Sequence, residues 1–558
     1  MTQQIRSASA GAAERRSGKV RGRAARPEQV AAAAPRTLPV FSRGPAAGLS
    51  CEQVHLAVGA QAALRPRSVA AEHLGAAITY GELERQSDRL AFVLADAGVG
   101  PGQYVPIFAS RGIPLLVGLL AVLKTGAAYV PQDIRVCPAE QLRHILAVTG
   151  ARVVLTTKEH ARLVPVVDGV RVTAVDATVA RPGNGNGDGN GDGDGDGDGG
   201  GGGGGGGRRF VPVRPTSGDD PCYVLFTSGT TGSPNGVVVT HRNVCNLLLT
   251  EPGGLGMGPG TRVAQVLSIA FDMAAWEMLG ALTHGATLVI RGKDIAAAVR
   301  RADVVISTPT ILSGIDPASC PSVGVVAVAG EPCPRALADR WADGRVFYNS
   351  CGPTETTIVN TMQRYRRSAR RLTIGRPTPN NAVYVLDARR RPVPAGEVGE
   401  MWAGGDGVSA GYLGDPALTG ERYVPDPFLG RGRLMFRTRD LGRWTPEGEL
   451  EILGRTDDQV KVRGFRVELD AVSAVLEALP GCRRAATVKV DDRTLVSFAA
   501  GTGLDPEAAR GAVALALPYY CVPEAVHVME ELPRTSRGKI DKAALLRLVE
   551  HRGREAGR

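Results

Sequence analysis

Short apolar runs alternate with amphipathic segments over most of the chain, from about residue 50 to residue 450. The runs include YVPIFA (104–109), ATLVI (286–290) and VGVVAVAG (323–330). Strands that are buried on both faces read as continuous apolar runs, and helices between such strands are typical of parallel sheets. After residue 456 the alternation restarts on a smaller scale. The pattern predicts an α/β fold, with a large domain of sheets and helices over 49–455 and a small α+β domain over 456–558.

One segment, GNGNGDGNGDGDGDGDGGGGGGGGG (183–207), has almost no side chain that can pack. Ordering such a segment costs much backbone entropy and returns no burial, so we expect a disordered surface loop. The alternating aspartates bear a faint likeness to calcium-binding repeats. The apolar anchor of those repeats is absent, which favours simple low complexity.

The basic charge is concentrated at one end of the chain. The net charge is +10, and residues 1–50 contain nine lysines and arginines against two glutamates. The remaining body is close to neutral. We therefore expect a disordered, solvated basic arm over 1–48 and no nucleic-acid-binding face, with nucleic-acid binding by the arm itself as the alternative.

Composition also bears on location and redox chemistry. No stretch approaches the roughly 20 apolar residues of a membrane span, and the first 30 residues lack the apolar core of a signal peptide. The nine cysteines are scattered, without a CxxC pair or a His/Cys cluster. We expect a cytoplasmic protein with no membrane segment, disulfide framework or zinc site.

A turn rich in hydroxyl groups lies between two apolar runs at FTSGTTGSPNG (226–236). Its glycines allow the backbone to approach a ligand closely, and Thr227, Ser228, Thr230 and Thr231 can donate hydrogen bonds beside backbone N–H groups. These properties suit a phosphate. An ordinary Gly/Ser/Thr turn is the alternative that the turn alone leaves open.

A second polar turn, NSCGPTETT (349–357), follows the apolar run RVFY. It places Thr354 and Glu355 at the carboxyl end of a strand, where ligands lie in open α/β sheets. A carboxylate beside a phosphate is repelled unless a cation lies between them, so Glu355 is a candidate Mg²⁺ ligand.

Further polar candidates lie toward the C-terminus. FRTRDLGRW offers Asp440, and GRTDDQVKVRGFRVELD offers Arg455, Lys461 and Arg463 at the predicted domain joint. LPRTSRGKIDK presents Lys539 on a glycine-containing turn.

The motifs quoted so far, together with several others, follow one another along the chain in the order that is typical of one protein family. The chain resembles the adenylate-forming superfamily, and most closely the free-standing amino-acid adenylation domains of nonribosomal peptide synthetases. The motifs are ITYGEL, LKTGAAYVPQD, FTSGTTGSPNG, FDMAAWE, NSCGPTE, GEMWAGGDGVSAGYL, FRTRDL, GRTDDQVKVRGFRVEL and LPRTSRGKIDK.

The resemblance implies a large N-terminal adenylate-forming domain and a small mobile C-terminal domain that pivots at Asp457. It implies that a substrate carboxylate attacks the α-phosphate of ATP, giving an acyl-adenylate and pyrophosphate. The small domain then rotates to admit the phosphopantetheine thiol of a carrier protein. In such a reaction, positioned cations and hydrogen-bond donors bring two anions together and stabilise the negative charge that develops on the α-phosphate.

The resemblance also assigns roles to residues. The catalytic set is Lys539, which bridges the substrate carboxylate and the adenylate, Thr354 at the α-phosphate, and Glu355 as the Mg²⁺ ligand. Asp440 and Arg455 bind the ribose hydroxyls. The other implied ATP-binding residues are Thr227, Ser228, Gly229, Thr230, Thr231, Gly330, Glu331, Asn349, Ser350 and Cys351.

The motif FDMAAWE bears on the substrate class. By resemblance, Asp272 pairs with the α-ammonium group of an amino acid; a helix N-cap is the alternative for this residue alone. The implied substrate pocket is mostly apolar, so we expect a medium or large, mainly apolar amino acid, aromatic before aliphatic. Its lining is Asp272, Met273, Trp276, Ser307, Ala327, Ala329, Ser350, Ile358 and Val359.

The chain departs from the family pattern at several positions. Asn235 stands in place of a lysine of the phosphate loop, and Cys351 in place of a tyrosine that stacks on adenine. Arg439 and Asp470 each replace a glycine, and Arg537 replaces an asparagine near Lys539. A catalytically degenerate scaffold is therefore one alternative to an active enzyme, and an acid:CoA ligase is the other.

Only 19 residues follow Lys539, without a carrier-protein motif, and no condensation-domain motif is present. We therefore expect a free-standing enzyme that loads a carrier protein in trans. A small helper protein is a possible further partner.

Overall fold

The computed structural model describes residues 37–179, 209–212, 214–228, 234–430, 432–534 and 540–556. Packing divides the chain into two units, Met1–Thr37 and Leu38–Arg558, and the structure below is that of the second unit. The predicted loop 183–207 lies outside the described residues, as does the predicted arm up to residue 36. The same holds for Gly229, Thr230, Thr231, Arg537 and Lys539.

The described helices and strands follow the predicted alternation. In chain order, the α-helices are α1 (Val54–Leu64), α2 (Tyr80–Asp96), α3 (Ile113–Lys124), α4 (Ala139–Thr149), α5 (Val175–Val179), α6 (His241–Leu248), α7 (Asp272–Thr283), α8 (Ile295–Val299), α9 (Pro309–Ser313), α10 (Arg335–Trp341), α11 (Pro416–Arg422), α12 (Leu469–Glu477), α13 (Pro506–Ala516) and α14 (Lys542–Ala556).

The strands are β1 (Val69–His73), β2 (Ala76–Thr79), β3 (Tyr104–Ala109), β4 (Ala128–Asp133), β5 (Val153–Thr156), β6 (Arg171–Ala174), β7 (Pro221–Thr227), β8 (Asn235–Thr240), β9 (Arg262–Gln265), β10 (Thr287–Ile290), β11 (Val304–Ser307), β12 (Val325–Val328), β13 (Val346–Cys351), β14 (Thr361–Tyr365), β15 (Arg376–Pro377), β16 (Asn381–Leu386), β17 (Gly399–Gly405), β18 (Gly411–Tyr412), β19 (Tyr423–Pro425), β20 (Leu434–Trp444), β21 (Leu450–Arg455), β22 (Gln459–Val462), β23 (Phe465–Glu468), β24 (Cys482–Lys489), β25 (Leu495–Gly501) and β26 (Ala525–Met529).

Three sheets form the large domain. A nine-stranded sheet has the order β15-β14-β13-β12-β11-β9-β10-β1-β2, and a seven-stranded sheet has the order β18-β8-β7-β4-β3-β5-β6. The central strands of both are parallel, and antiparallel pairs occur toward their edges. A third, antiparallel sheet joins β16, β17, β20 and β19, with β21 on β20. The expected largely parallel α/β architecture is confirmed.

One hydrophobic core serves both parallel sheets. Nearly every residue of α3 is buried in it, because this helix is apolar on all sides. Its last residue, Lys124, is compensated by α2, with Nζ at 2.7 Å from Asp88 and at 3.0 Å from Glu84. Helix α7 is likewise buried from Met273 onward, which fixes the position of its first residue, Asp272.

The small domain, which we define as Gln459 to residue 556, has a core of its own. Its sheet has the order β24-β25-β26, and β22 and β23 form a separate hairpin. Two hydrophobic clusters hold these strands to α12, α13 and α14. Residues 456–458 connect β21 to β22, and the predicted boundary at 455/456 falls at this connection.

The prediction of a disordered arm over 1–48 is wrong for residues 38–48. Residues 38–48 pack on the large domain: Phe41 lies 4.8 Å from Trp444 between ring centroids, and Gly44 N–H donates to the Asn381 carbonyl at 2.8 Å. A short irregular segment carries no periodicity that would have revealed this packing. Across the described part of the chain, no helix has the length and apolar content that crossing a membrane requires.

Candidate active site

A cavity of about 1190 Å³ lies between the large and small domains. Much of its large-domain wall comes from residues at and after the carboxyl ends of β3, β4, β7, β9, β10, β11, β12 and β13, and β20 and β21 add further residues. The small domain contributes the β22–β23 hairpin, Lys489, Arg493 and residues 518–520. Because ligands of open α/β sheets lie beyond the carboxyl ends of parallel strands, this is the candidate active site.

Asp272 and Thr354 meet at the wall of this cavity. The Thr354 hydroxyl donates to Asp272 Oδ2 at 2.8 Å, and Met273 N–H donates to Asp272 Oδ1 at 2.7 Å. Asp272 is the first residue of α7 and not its N-cap, which is Phe271. Burial raises the pKa of the Asp272 carboxyl, against the Thr354 hydrogen bond and the charge of Lys461.

Lys461 also reaches the cavity, from β22 of the small domain. Burial lowers the pKa of its amino group, as does the charge of Arg466, while Asp272 opposes the shift. An ammonium group and a carboxylate, both half-buried, thus face the same space. Within the described residues no hydrogen bond or ion pair joins them directly.

Glu355 is fully buried and already has a cationic partner. Arg466 Nη1 lies 3.0 Å and 2.9 Å from its two oxygens, and the Tyr412 hydroxyl donates to it at 2.7 Å. Burial raises the pKa of Glu355, but the charges of Arg466 and Arg422 outweigh it, so the pKa is lowered. In this conformation the carboxylate does not fit as a Mg²⁺ ligand, because the Arg466 guanidinium already donates hydrogen bonds to both of its oxygens. The described residues contain no group of three or more histidine, cysteine or acidic side chains suited to a metal.

The predicted ribose ligands Asp440 and Arg455 both line the cavity and bond to each other. Burial raises the pKa of Asp440 against the charge of Arg455. Arg455 also donates to both carboxylate oxygens of Asp457, the predicted hinge residue, at 2.7 and 3.0 Å. Arg439 has a positive φ of 64°, where glycine is favoured, and one of its nitrogens lies 3.6 Å from Asp457.

The described start of the predicted phosphate loop touches the small domain. Thr227 and Ser228 line the cavity, and the Ser228 hydroxyl donates to the Arg466 carbonyl at 2.9 Å. Asn235 pairs with Thr227 where β7 and β8 meet.

The other predicted nucleotide-binding residues, Gly330, Glu331, Asn349, Ser350 and Cys351, all line the cavity. Both Glu331 oxygens accept hydrogen bonds from Thr310, at 2.8 and 2.9 Å. Asn349 donates to the Thr373 carbonyl at 2.6 Å. Burial raises the pKa of the Cys351 thiol to about 12. The Ser350 hydroxyl is buried and has no hydrogen-bond partner among the described residues.

Only part of the predicted substrate pocket reaches the cavity. Asp272, Met273, Ala329, Ser350 and Ile358 line it. The remaining four lie behind the wall and are at most 1% exposed: Trp276, Ser307, Ala327 and Val359.

The tryptophan is directed away from the cavity by its own hydrogen bond. Trp276 Nε1 donates to the Gly253 carbonyl at 2.8 Å. Met273 precedes Trp276 by three residues on the same face of α7, so its side chain forms the wall instead.

Lys539 lies outside the described residues, and its described neighbours lie away from the cavity. Arg534 and Ile540 pair with each other, and Ile540 packs on the small-domain sheet. Neither residue lines the cavity. The small domain therefore presents the β22–β23 hairpin to the cavity.

Sequence reasoning missed three arginines of the site. Arg466 lies in the quoted motif GRTDDQVKVRGFRVEL, but its partner Glu355 is 111 residues away. Arg111 and Arg291 line the cavity shortly after β3 and β10, and a position just after a buried strand is the signal that could have found them.

The sequence matches the family model described as AMP-binding enzyme over residues 58–413. An adenylate-forming reductase, 06235, of Coprinopsis cinerea is 43% identical over 512 residues, which are 91% of this chain and 48% of the reductase. The chain thus spans about half the length of that relative. Novobiocin biosynthesis protein H of Streptomyces niveus is 36% identical over 86% of this chain and 80% of that protein.

Solved structures agree with the sequence relatives. An artificially fused adenylation–PCP di-domain of a nonribosomal peptide synthetase from Klebsiella oxytoca superposes with a TM-score of 0.72 at 25% identity. The match covers 85% of this chain and 93% of that one. The chain belongs to the AMP-binding, adenylate-forming enzymes and has the fold of a nonribosomal peptide synthetase adenylation domain.

Proposed function

We propose that this chain activates an amino acid with ATP as an aminoacyl-adenylate and passes the aminoacyl group to the phosphopantetheine thiol of a carrier protein. In the activation, a carboxylate oxygen bonds to the α-phosphorus of ATP and pyrophosphate leaves. In the transfer, the thiol loses its proton to solvent, its sulfur bonds to the acyl carbon, and the bond from that carbon to the phosphate oxygen breaks, so that AMP leaves. The observation that carries the proposal is the Asp272 carboxylate, held by Thr354 at the wall of the cavity.

Asp272 favours an amino acid over a simple carboxylic acid. Asp272 is half-buried and, among the described residues, bonds directly to no cation; an α-ammonium group in the cavity supplies one. An acid:CoA ligase that binds acids without an amino group has no such use for Asp272. The resemblance of the motifs and the position of Asp272 support the same substrate class.

The cavity wall bears on the size of the side chain. Met273 covers the wall in front of Trp276, and Ala329 and Ile358 complete an apolar surface. Because Met273 stands in front of Trp276, we propose a mainly apolar amino acid of medium size, and this replaces the aromatic preference that the sequence alone favoured. The unpaired Ser350 hydroxyl offers one hydrogen bond to a polar group on that side chain.

The ATP assignments follow the residues at the cavity wall. Asp440 and Arg455 are proposed to bind the ribose hydroxyls, and Thr227 with Ser228 to begin the phosphate loop. Mg²⁺ binding by Glu355 requires Arg466 to leave the carboxylate first. Lys539 is proposed as the lysine that bridges carboxylate and adenylate, on the strength of its motif.

A carrier protein is the proposed acceptor, loaded in trans. The structural relative from Klebsiella oxytoca supports this class of partner, because it is an adenylation domain fused to a PCP domain. A small helper protein remains a further proposed partner.

The test is amino-acid-dependent ATP/[³²P]pyrophosphate exchange across proteinogenic and common nonproteinogenic amino acids. Exchange is expected with one or a few apolar amino acids, and it is expected to be lost in Asp272→Ala and Lys539→Ala. Asp168→Ala is the matched control, because Asp168 is exposed and lies on a turn away from the cavity. Full exchange in Asp272→Ala would contradict the proposal.

A further inference from the structure

Two arginines from different sheets converge on one oxygen. Arg111 follows β3 of the seven-stranded sheet, and Arg291 follows β10 of the nine-stranded sheet. Arg111 Nη1 donates to the Val266 carbonyl oxygen at 3.3 Å, and Arg291 Nε donates to the same oxygen at 2.8 Å. Two half-buried guanidinium groups are therefore held close together at the cavity wall.

The pair has no carboxylate partner. Among the residues that the structure describes, none places a carboxylate oxygen within 4.0 Å of either guanidinium. Asp133 is nearby but pairs with Arg135 at 3.1 Å. Like charges at close range repel, and each half-buried guanidinium retains donors that no protein acceptor satisfies.

The buried carboxyl of Glu277 acts electrostatically on both arginines, but other donors already bond to it. It accepts hydrogen bonds from Val266 N–H at 2.8 Å, from Leu267 N–H, and from the Gln265 side chain at 3.3 Å. Burial and the charge of Arg291 together lower the pKa of Arg111 to about 10, against the opposing charge of Glu277. Glu277 and Asp133 therefore act on the two arginines only through space, and neither forms an ion pair with them among the described residues.

The small domain adds positive charge to the same region. Arg463, which lies on the turn of the β22–β23 hairpin, lines the cavity, as does Tyr519. The Nε of Arg463 donates to the Arg493 carbonyl, and Arg493 also lines the cavity. In this conformation, cations of both domains therefore face one space.

We propose that Arg111 and Arg291 form a phosphate-binding site for the phosphate of the thiol acceptor. The inference rests on the proposed function and extends it to the residues that select the acceptor. Guanidinium groups present paired donors that match phosphate oxygens. A phosphate bound there offsets part of the positive charge of the two arginines and of the small-domain cations, so it also favours the conformation in which the hairpin faces the cavity.

The position of the site suits such an acceptor. Val266, which the two arginines share, and Asp272, at the substrate end, are six residues apart in the chain. Six residues span at most about 20 Å, a length that an extended pantetheine arm can cover. A phosphate at Arg111 and Arg291 therefore leaves the thiol within reach of the aminoacyl group.

The test compares 4′-phosphopantetheine with pantetheine, which lacks the phosphate, by titration calorimetry. Wild-type protein is expected to bind 4′-phosphopantetheine roughly 10- to 100-fold more tightly, the ratio that charge-assisted hydrogen bonds give. Arg111→Gln/Arg291→Gln is expected to remove this ratio through weaker binding of the phosphorylated compound alone. Arg111→Lys/Arg291→Lys, which keeps the charge, is expected to retain part of it.

Arg301→Gln is the matched control, because Arg301 is exposed and pairs with Glu72 away from the cavity. Retention of the ratio in the double glutamine variant, or its equal loss in Arg301→Gln, would overturn the proposal. Thermal unfolding of each variant shows that the comparison is made on folded protein.

Coenzyme A distinguishes the two sources of this phosphate. Equal affinities for coenzyme A and 4′-phosphopantetheine indicate a carrier-borne arm, whereas markedly tighter binding of coenzyme A through the same arginines indicates the free cofactor. Pyrophosphate exchange by wild-type protein separately tests adenylation. If the protein catalyses pyrophosphate exchange but binds 4′-phosphopantetheine no more tightly than pantetheine, only the arginine site is overturned. If it prefers 4′-phosphopantetheine but catalyses no exchange, only the proposed activation of an amino acid is overturned.

Discussion

The guanidinium group of Arg466 contacts both carboxylate oxygens of Glu355, at 3.0 and 2.9 Å, and so joins the small domain to the polar turn after β13. Glu355 is fully buried. Removing one partner of a buried ion pair leaves the other charge uncompensated, at a cost of about 3–5 kcal/mol.

Arg466→Met is therefore expected to release the β22–β23 hairpin from the cavity. The unpaired Glu355 carboxylate is better solvated when the small domain moves away. Hydrogen–deuterium exchange of residues 459–468 is expected to rise at least tenfold, since about 1.4 kcal/mol corresponds to a factor of ten. Arg484→Met is the control, because Arg484 is exposed and pairs with Glu477 within the small domain. Unchanged exchange in Arg466→Met would show that the pair does not hold the hairpin.

Met273 is expected to limit the size of the substrate side chain. Met273→Ala removes the wall in front of Trp276 and opens space in an apolar pocket. The ratio of kcat/KM for a large aromatic amino acid over a medium aliphatic one is expected to rise about 10- to 100-fold, as one or a few methylene groups allow. Pyrophosphate exchange with both amino acids measures the ratio. A ratio equal to that of wild type would place the size limit elsewhere.

Cys351 occupies the position at which the family resemblance predicts an aromatic residue against adenine. Stacking of a base on an aromatic side chain contributes about 1–3 kcal/mol. Cys351→Tyr is therefore expected to lower the KM for ATP about 5- to 100-fold, measured by pyrophosphate exchange at saturating amino acid. Cys333→Tyr, also at the cavity wall, is the comparison. An unchanged or higher KM in Cys351→Tyr would argue against adenine binding beside this residue.

Two buried histidines make stability depend on pH. Burial lowers the pKa of His55 to about 3 and that of His241 to about 4, and Nδ1 of His241 accepts a hydrogen bond from Val54 N–H. Their folded-state pKa values are depressed, so the unfolded chain binds more protons below pH 6.5. Stability is expected to fall as pH decreases from about 6.5 to about 4, by about 1.4 kcal/mol per pH unit for each histidine.

His55→Phe tests this dependence, because phenylalanine keeps an aromatic ring in the buried position and does not titrate. The variant is expected to lose less stability than wild type between pH 6.5 and pH 5, by about 2 kcal/mol in denaturant unfolding. Parallel pH profiles of the two proteins would contradict the assignment.

The sequence predicted the fold class well, since alternating apolar runs indicate buried parallel strands regardless of distant contacts. It also predicted residues that meet in the cavity, such as Asp272 and Thr354, because their motifs follow strands or begin a helix. It did not predict that Trp276 lies behind Met273. That outcome depends on the bond from the Trp276 indole to the Gly253 carbonyl, and no local pattern encodes it.

The pairing of Arg466 with Glu355 was equally hidden from the sequence. It depends on how the small domain is placed against the large one, and residue patterns report local structure and not such placement. The same limit applies to Arg111 and Arg291, which belong to different sheets and meet only through the Val266 carbonyl.

The connection of three residues between β21 and β22 has a consequence for how the two domains find each other. From Arg455 to Gln459 the chain can extend to at most about 14 Å, so the small domain cannot diffuse away from the cavity. Its effective local concentration is set by this tether, at millimolar or above, and not by the amount of protein in solution. Contacts between the hairpin and the cavity should therefore survive any dilution, and only a bound ligand or a substitution can compete with them.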